Sequence, residues 1–170
     1  MLKIAFPYQE QINRAWQSIA FNPKYQYYNA SDWWSYTVEI ANNSWETIQM
    51  VSVDKYDHVL GFLGVQVDRV PNKVSNVGVI NFGEVNLTFS KDFFQFLTEL
   101  FTKHKFRKIE WYVVCGNPVE KMYDKIVQRY GGRIVGVRKQ AVMILGELCD
   151  EKIYEIFRTD FESRCHHGKG

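Results

Sequence analysis

The sequence predicts an α/β protein, a mixed and mostly antiparallel sheet with helices on both faces. Three observations carry that reading. From Glu46 to Val85 apolar side chains alternate in three runs separated by turn residues, which is the period of half-buried strands. From Phe93 to Phe101 the pattern changes to a broad apolar helical stripe. Then "KIEWYVV" and "CGNPVEKMYDKIVQRYGG" repeat the order strand then helix. A strand, helix, strand order implies a right-handed crossover, so the strands on either side of the Phe-rich helix pair in parallel.

The elements follow in order. Gln9 to Ala20 is helix-compatible, with Ile12, Ala15, Trp16 and Ile19 at spacings of three and four. "NPKYQYYNASDWWSYTVEIANN" is aromatic and rich in turn residues, and Ser31-Asp32 can cap a short helix presenting Trp33, Trp34 and Tyr36. "ETIQMVSVD", "HVLGFLGVQVDRV" and "KVSNVGVINFGEV" read as three strands of an antiparallel meander, joined through Asp57-His58 and Pro71-Asn72. Ser90 is read as the N-cap of the Phe-rich helix. Lys103, Lys105, Arg107 and Lys108 near its end complement the helix dipole rather than mark a nucleic-acid patch. "RIVGVRKQAVMILGEL" and "EKIYEIFR" supply the last two strands, and residues 163–170 read as a flexible tail.

Composition narrows the classes. Hydrophobic residues at 46% and charged residues at 24% are those of a soluble globular chain. A net charge of +2 does not point to nucleic acid or to an anionic membrane. No stretch approaches the roughly 18 apolar residues of a membrane helix, and the start lacks the apolar region of a signal peptide. Three widely spaced cysteines form neither a disulfide framework nor a zinc pattern, so no metal is expected and a reducing, cytoplasmic setting fits.

The stretch from 115 to 132 is the most informative. Asn117 is a good N-cap, Pro118 suits the first helical position and Glu120 completes a capping box. Val119, Met122, Tyr123, Ile126, Val127 and Tyr130 form one stripe, and Gly131 or Gly132 ends the helix. Helix physics alone makes Tyr123 a core tyrosine.

The string Asn117-Pro118-x-x-x-Met122-Tyr123-x-Lys125, after a strand and before a glycine turn, resembles the Gcn5-related N-acetyltransferases, the GNAT superfamily. "IVGVRKQAVMILGELCDEKIYEIFRTDFE" is similar to the paired C-terminal strands of its ribosomal-protein-acetylating branch. The resemblance implies a sheet of six to seven strands with one splayed parallel pair. It implies one domain over 1–170: an acceptor-side region at 1–45, a core at 46–162 and the tail. It further implies acetyl-CoA as co-substrate and a primary amine as acceptor, either a small molecule or a protein amino group, with a homodimer possible. The amine would attack the thioester directly. Phe82, Gly83, Val85, Asn86 and Leu87 would bond the pantetheine arm like an added strand, and Asn117 would help place it. Tyr123 would give a proton to the leaving thiolate. Glu84 is the candidate base, with a solvent-facing strand-end residue as the plain alternative. Trp33, Trp34 and Tyr36 would line the acceptor site, form an interaction surface or simply belong to the core.

One family feature is absent. The pyrophosphate loop, Arg/Gln-x-x-Gly-x-Gly/Ala, falls where this chain reads "GEVNLTFSKDFF". Glycine there permits backbone N–H groups to wrap a diphosphate. Ser90 and Lys91 are the expected substitutes, opposed by Asp92 in the same turn. The sequence therefore supports two readings. One is an acyltransferase with a rearranged phosphate site. The other is a catalytically inactive GNAT-like binding or scaffold protein.

Overall fold

In a computed structural model, residues 1–20, 22–29, 37–83 and 86–167 are described. Their strands are β1 (Leu2–Ile4), β2 (Thr47–Val53), β3 (Val59–Asp68), β4 (Lys73–Asn81), β5 (Lys108–Val114), β6 (Arg133–Ile144) and β7 (Glu147–Phe157). Their helices are α1 (Gln9–Gln17), α2 (Leu87–Thr102), α3 (Glu120–Tyr130) and α4 (Arg158–His167), with a 3-10 segment at Pro23–Asn29. One seven-stranded sheet runs in the order β1-β2-β3-β4-β5-β7-β6. Every pairing is antiparallel except β4 with β5.

The parallel pair is brief. Only Lys73 with Lys108 and Val74 with Ile109 are in register, and beyond them the two strands separate. At the point of separation β4 carries a bulge, with Asn76 at a φ of 51°. A bulge bends its strand and ends regular pairing.

The two faces bury different helices. On one, α2 presses Phe89, Phe93, Phe96, Leu97, Leu100 and Phe101 against Ile48, Leu63, Val74 and Ile109, joined by Tyr123, Ile126 and Val127 of α3. Full burial of such side chains contributes roughly 1.5–3 kcal/mol each. The approach of α2 is close. A Cβ on Gly61 would stand 2.3 Å from the Phe89 ring and 2.6 Å from the Ile80 carbonyl, so only glycine fits. On the other face Ile12 and Trp16 of α1, with Tyr25 and Tyr28 of the 3-10 segment, cover Val51, Phe62 and Ile80.

Four elements differ from the sequence expectation. β1 escapes notice because three residues are too few to show alternation. The last hairpin turns at Leu145-Gly146, earlier than expected, with both residues at positive φ (48° and 87°) as a two-residue turn requires. Residues 163–167 continue α4, which is anchored by Phe161 against Phe101 (4.8 Å) and Tyr130 (5.3 Å). Finally α2 begins at Leu87, and its N-cap is Asn86, not Ser90. Asn86 Oδ1 accepts from Thr88 N–H (2.8 Å) and Phe89 N–H (3.3 Å), whereas the Ser90 hydroxyl donates back to the Asn86 carbonyl at 3.1 Å. The basic residues after α2 do not act as one patch. Arg107 Nε donates to the Pro71 carbonyl at 3.1 Å, and Lys108 pairs with Glu110 and Glu155.

Candidate active site

The separation of β4 and β5 opens a cleft of about 1490 Å³ that reaches both faces of the sheet. Its wall on the β4 side is the strand's own backbone. Phe82 N–H donates to the Leu60 carbonyl at 3.1 Å. By alternation the N–H and C=O groups of Asn81 and Val79 turn the other way, into the gap. The stretch expected to bond an arm, 82–87, begins just past the end of β4 at Asn81. Phe82 packs beneath α1 and its N–H is occupied, and Leu87 is 77% exposed at the start of α2.

The gap is bridged from the α1 face. Tyr28 accepts from Asn81 N–H at 3.4 Å, and burial first, opposed by that bond, holds its phenol above the ordinary value. The Tyr27 hydroxyl lies 3.5 Å from where a Cβ on Gly116 would stand, at the end of β5. The 3-10 segment thus touches both separated strands and roofs the cleft. The floor is open because Gly64 and Gly78 face each other on β3 and β4. Nearer the vertex the Tyr112 hydroxyl donates to Asn76 Oδ1, linking β5 to β4.

α3 flanks the cleft on the opposite side. Its N-cap is Val119, without a side-chain cap, and not Asn117 as expected; Asn117 Oδ1 accepts Val119 N–H at 3.1 Å in the turn before the helix. Glu120 reaches Gly116 N–H (2.9 Å) rather than Asn117 N–H, because a tight turn through Pro118 and Val119 precedes the regular helix. Gly131, at a φ of 75°, ends it as expected. Tyr123 is 5% exposed and lines the cleft. Its ring meets Trp111 edge-to-face at 5.8 Å, Tyr154 at 6.0 Å and Phe93 at 6.4 Å. Burial, with a smaller effect of Tyr28, pushes its phenol far above the ordinary range, so it stays protonated. At the end of β5, burial first and then Glu120 and Asp150 hold the Cys115 thiol above its ordinary value, which disfavours the thiolate.

The remaining sequence candidates fall as follows. Gly83, Asn86, Ser90 and Asn117 line the cleft with Tyr123. Lys91 is exposed. Asp92, expected to oppose an anion, is buried and turned away, accepting from the Ser52 hydroxyl at 2.6 Å. Trp33, Trp34, Tyr36, Glu84 and Val85 lie outside the described residues. Tyr25, Tyr27 and Tyr28, aromatics that the sequence offered for an acceptor site, an interaction surface or the core, line the cleft, and sequence reasoning missed Glu151. Among the described residues no three His, Cys, Asp or Glu side chains gather as for a metal ion, and no helix is long and apolar enough to cross a membrane.

No protein-family model matches the chain, and no curated protein matches it by sequence. Solved structures do match. The spermidine N-acetyltransferase from Vibrio cholerae in complex with CoA and spermine is 14% identical, over 95% of this chain and 97% of that one, with a TM-score of 0.71. The spermidine/spermine N-acetyltransferase SpeG from the same organism, in complex with manganese ions, is 16% identical over 72% of this chain and 71% of that one, with a TM-score of 0.62. Neither is a ribosomal-protein acetyltransferase. With its seven-stranded, mostly antiparallel sheet and single parallel pair, the chain has the Gcn5-related N-acetyltransferase fold that these neighbours share.

Proposed function

We propose that this chain is an N-acyltransferase that moves an acetyl group from acetyl-CoA to a primary amine. The observation that carries the reading is the cleft between β4 and β5, with a buried, protonated tyrosine on its wall. The inward groups of Val79 suit the amides of a pantetheine arm, which would bond to β4 as an added strand does. Gly83, Asn86, Ser90 and Asn117 line the end of the cleft where such an arm would leave, and Lys91 is the nearest exposed cation in sequence. Val85, Glu84 as base, and Trp33, Trp34 and Tyr36 at the acceptor keep the roles the resemblance implies.

The chemistry needs a neutral amine, stabilisation of the thioester oxygen and a proton for the departing sulfur. A free thiol has a pKa near 8.5. Tyr123 holds its proton well above that and would donate a hydrogen bond to the nascent thiolate rather than lose the proton beforehand. With Cys115 kept as a thiol, direct attack is favoured over an acyl-cysteine.

The acceptor is an amine, for which the polyamine bound to one neighbour and the protein amino group suggested by the sequence are both fitting chemistry. We read residues 1–170 as one cytoplasmic domain. The exposed Ile134, Val135 and Val137 of edge strand β6 offer a surface on which a second copy would pair.

A second reading, a GNAT-like binding protein without catalysis, is favoured by the start of α2. Asn86 already occupies two first-turn N–H groups that a diphosphate would use. Hydrogen bonds to charged groups contribute roughly 1.5–3 kcal/mol each, so this competition bears directly on affinity. Calorimetry decides between the readings. Acetyl-CoA and CoA are expected to bind at micromolar to submillimolar concentration, and the absence of heat at millimolar ligand would discard the transferase.

A further inference from the structure

Two carboxylates line the cleft among the described residues, Glu39 and Glu151, against one lysine, Lys24. Glu39 is exposed. Glu151 is only 6% exposed. It stands on β7 directly opposite Val114, at the end of β5, and so on the same face as Tyr112 and the tyrosine roof.

Its surroundings leave it half-satisfied. Oε2 accepts from Arg138 Nη1 at 3.0 Å. No described residue donates to Oε1. A carboxylate offers about four acceptor sites, more than Arg138 fills, so a ligand's donors can still be received. Arg138 also places its guanidinium 5.7 Å from the Tyr112 ring, so the same cation orders both the acid and the aromatic wall beside it. Across the cleft stand Tyr25, Tyr27 and Tyr28. Aromatic faces attract an ammonium group. A carboxylate at one end and rings around it make a site for a primary ammonium on an apolar stem.

We propose that Glu151 is the specificity-determining residue that receives the ammonium of the acceptor, with Oε1 accepting one of its N–H groups and Arg138 holding the carboxylate in place. The proposal relies on the acyl-transfer reading for what happens to the amine afterwards; the cation site stands without it. Arg138 holds the carboxylate in place, so Glu151 orients the amine and another group takes its proton.

Calorimetry with n-hexylammonium and its uncharged analogue 1-hexanol tests the site without acetyl-CoA. Wild type is expected to bind the ammonium at least tenfold more tightly than the alcohol. Glu151→Gln is expected to remove that preference while leaving alcohol binding unchanged. Should Glu151→Gln destabilise the fold by leaving Arg138 unpaired, the double variant Glu151→Gln/Arg138→Gln removes both charges and is expected to show the same loss. Ammonium binding in either folded variant equal to wild type, or no wild-type preference over hexanol, overturns the anchor. Acetyl transfer to hexylamine is measured in parallel. Loss of ammonium binding in the variant with no transfer by wild type discards the transferase and retains the anchor. Equal transfer by both proteins discards the anchor and retains the transferase.

Discussion

Tyr123 answers two demands with one side chain. Its ring fills the junction of α3, β5 and β7, and its hydroxyl takes no hydrogen bond from the described residues. Tyr123→Phe is therefore expected to keep the fold, with thermal stability changed by less than about 1 kcal/mol. Loss of a positioned proton donor typically lowers turnover by about 10²-fold or more. The expected pattern is a reduced kcat with unchanged KM for both substrates, read from initial rates, and an unchanged kcat would remove Tyr123 from the chemistry. The stripe through Met122 and Ile126 makes the buried ring readable in the sequence. Glu151 was not readable. In "LCDEKIYEI" it looks like a solvent-facing strand residue, and only its pairing opposite Val114 reveals the burial. Tyr27 and Tyr28 stood out as aromatics, but their positions depend on contacts more than fifty residues away in sequence.

At the scale of elements the start of α2 governs the outcome. Its cap is formed by a residue that also lines the cleft. Asn86→Ala is expected to lower stability by about 1 kcal/mol, as lost caps do. It also releases the Thr88 and Phe89 N–H groups, and calorimetry is expected to show CoA binding several-fold tighter than in wild type. Weaker binding would mean that Asn86 assists the ligand instead of competing with it. Sequence reasoning placed this helix but misplaced its first turn by four residues. Serine and asparagine are both strong caps, and the choice was decided by where β4 stops. The α3 cap was misplaced too: the N-cap is Val119, Asn117 bonds within the turn before it, and Glu120 bonds one residue further back than a regular capping box predicts.

Across the whole molecule the sheet carries a continuous charge ladder. Lys73, Glu110, Lys108, Glu155 and Arg133 pair in sequence from β4 across β5 and β7 to β6. Burial alone would raise Glu110 and Glu155, but their lysine and arginine partners outweigh it and hold both below the ordinary value of 4.5. Lys152, aided by the Gly116 N–H, does the same for Glu120. Lowered folded-state values give stability that is complete above the unfolded value and is lost as pH falls through the folded ones. Unfolding midpoints should be flat above about pH 5 and fall below about pH 4.5; a decline that begins near pH 7 would show that these pairs do not control acid stability. The meander and the parallel pair were legible from periodicity and crossover handedness, whereas β1 and the place of β7 between β5 and β6 were not. Nor was the extent of the pair's separation, because it arises from a bulge at Asn76 that no local pattern marks.

That separation makes the cleft a passage rather than a pit. The helix starts of α2 and α3 flank it on one face and the tyrosine roof flanks it on the other. A donor and an acceptor can enter from opposite sides, and neither has to leave before the other arrives. Initial rates with both substrates varied should then give double-reciprocal lines that intersect, the mark of a ternary complex, whereas parallel lines would require the two ligands to take turns at a single door.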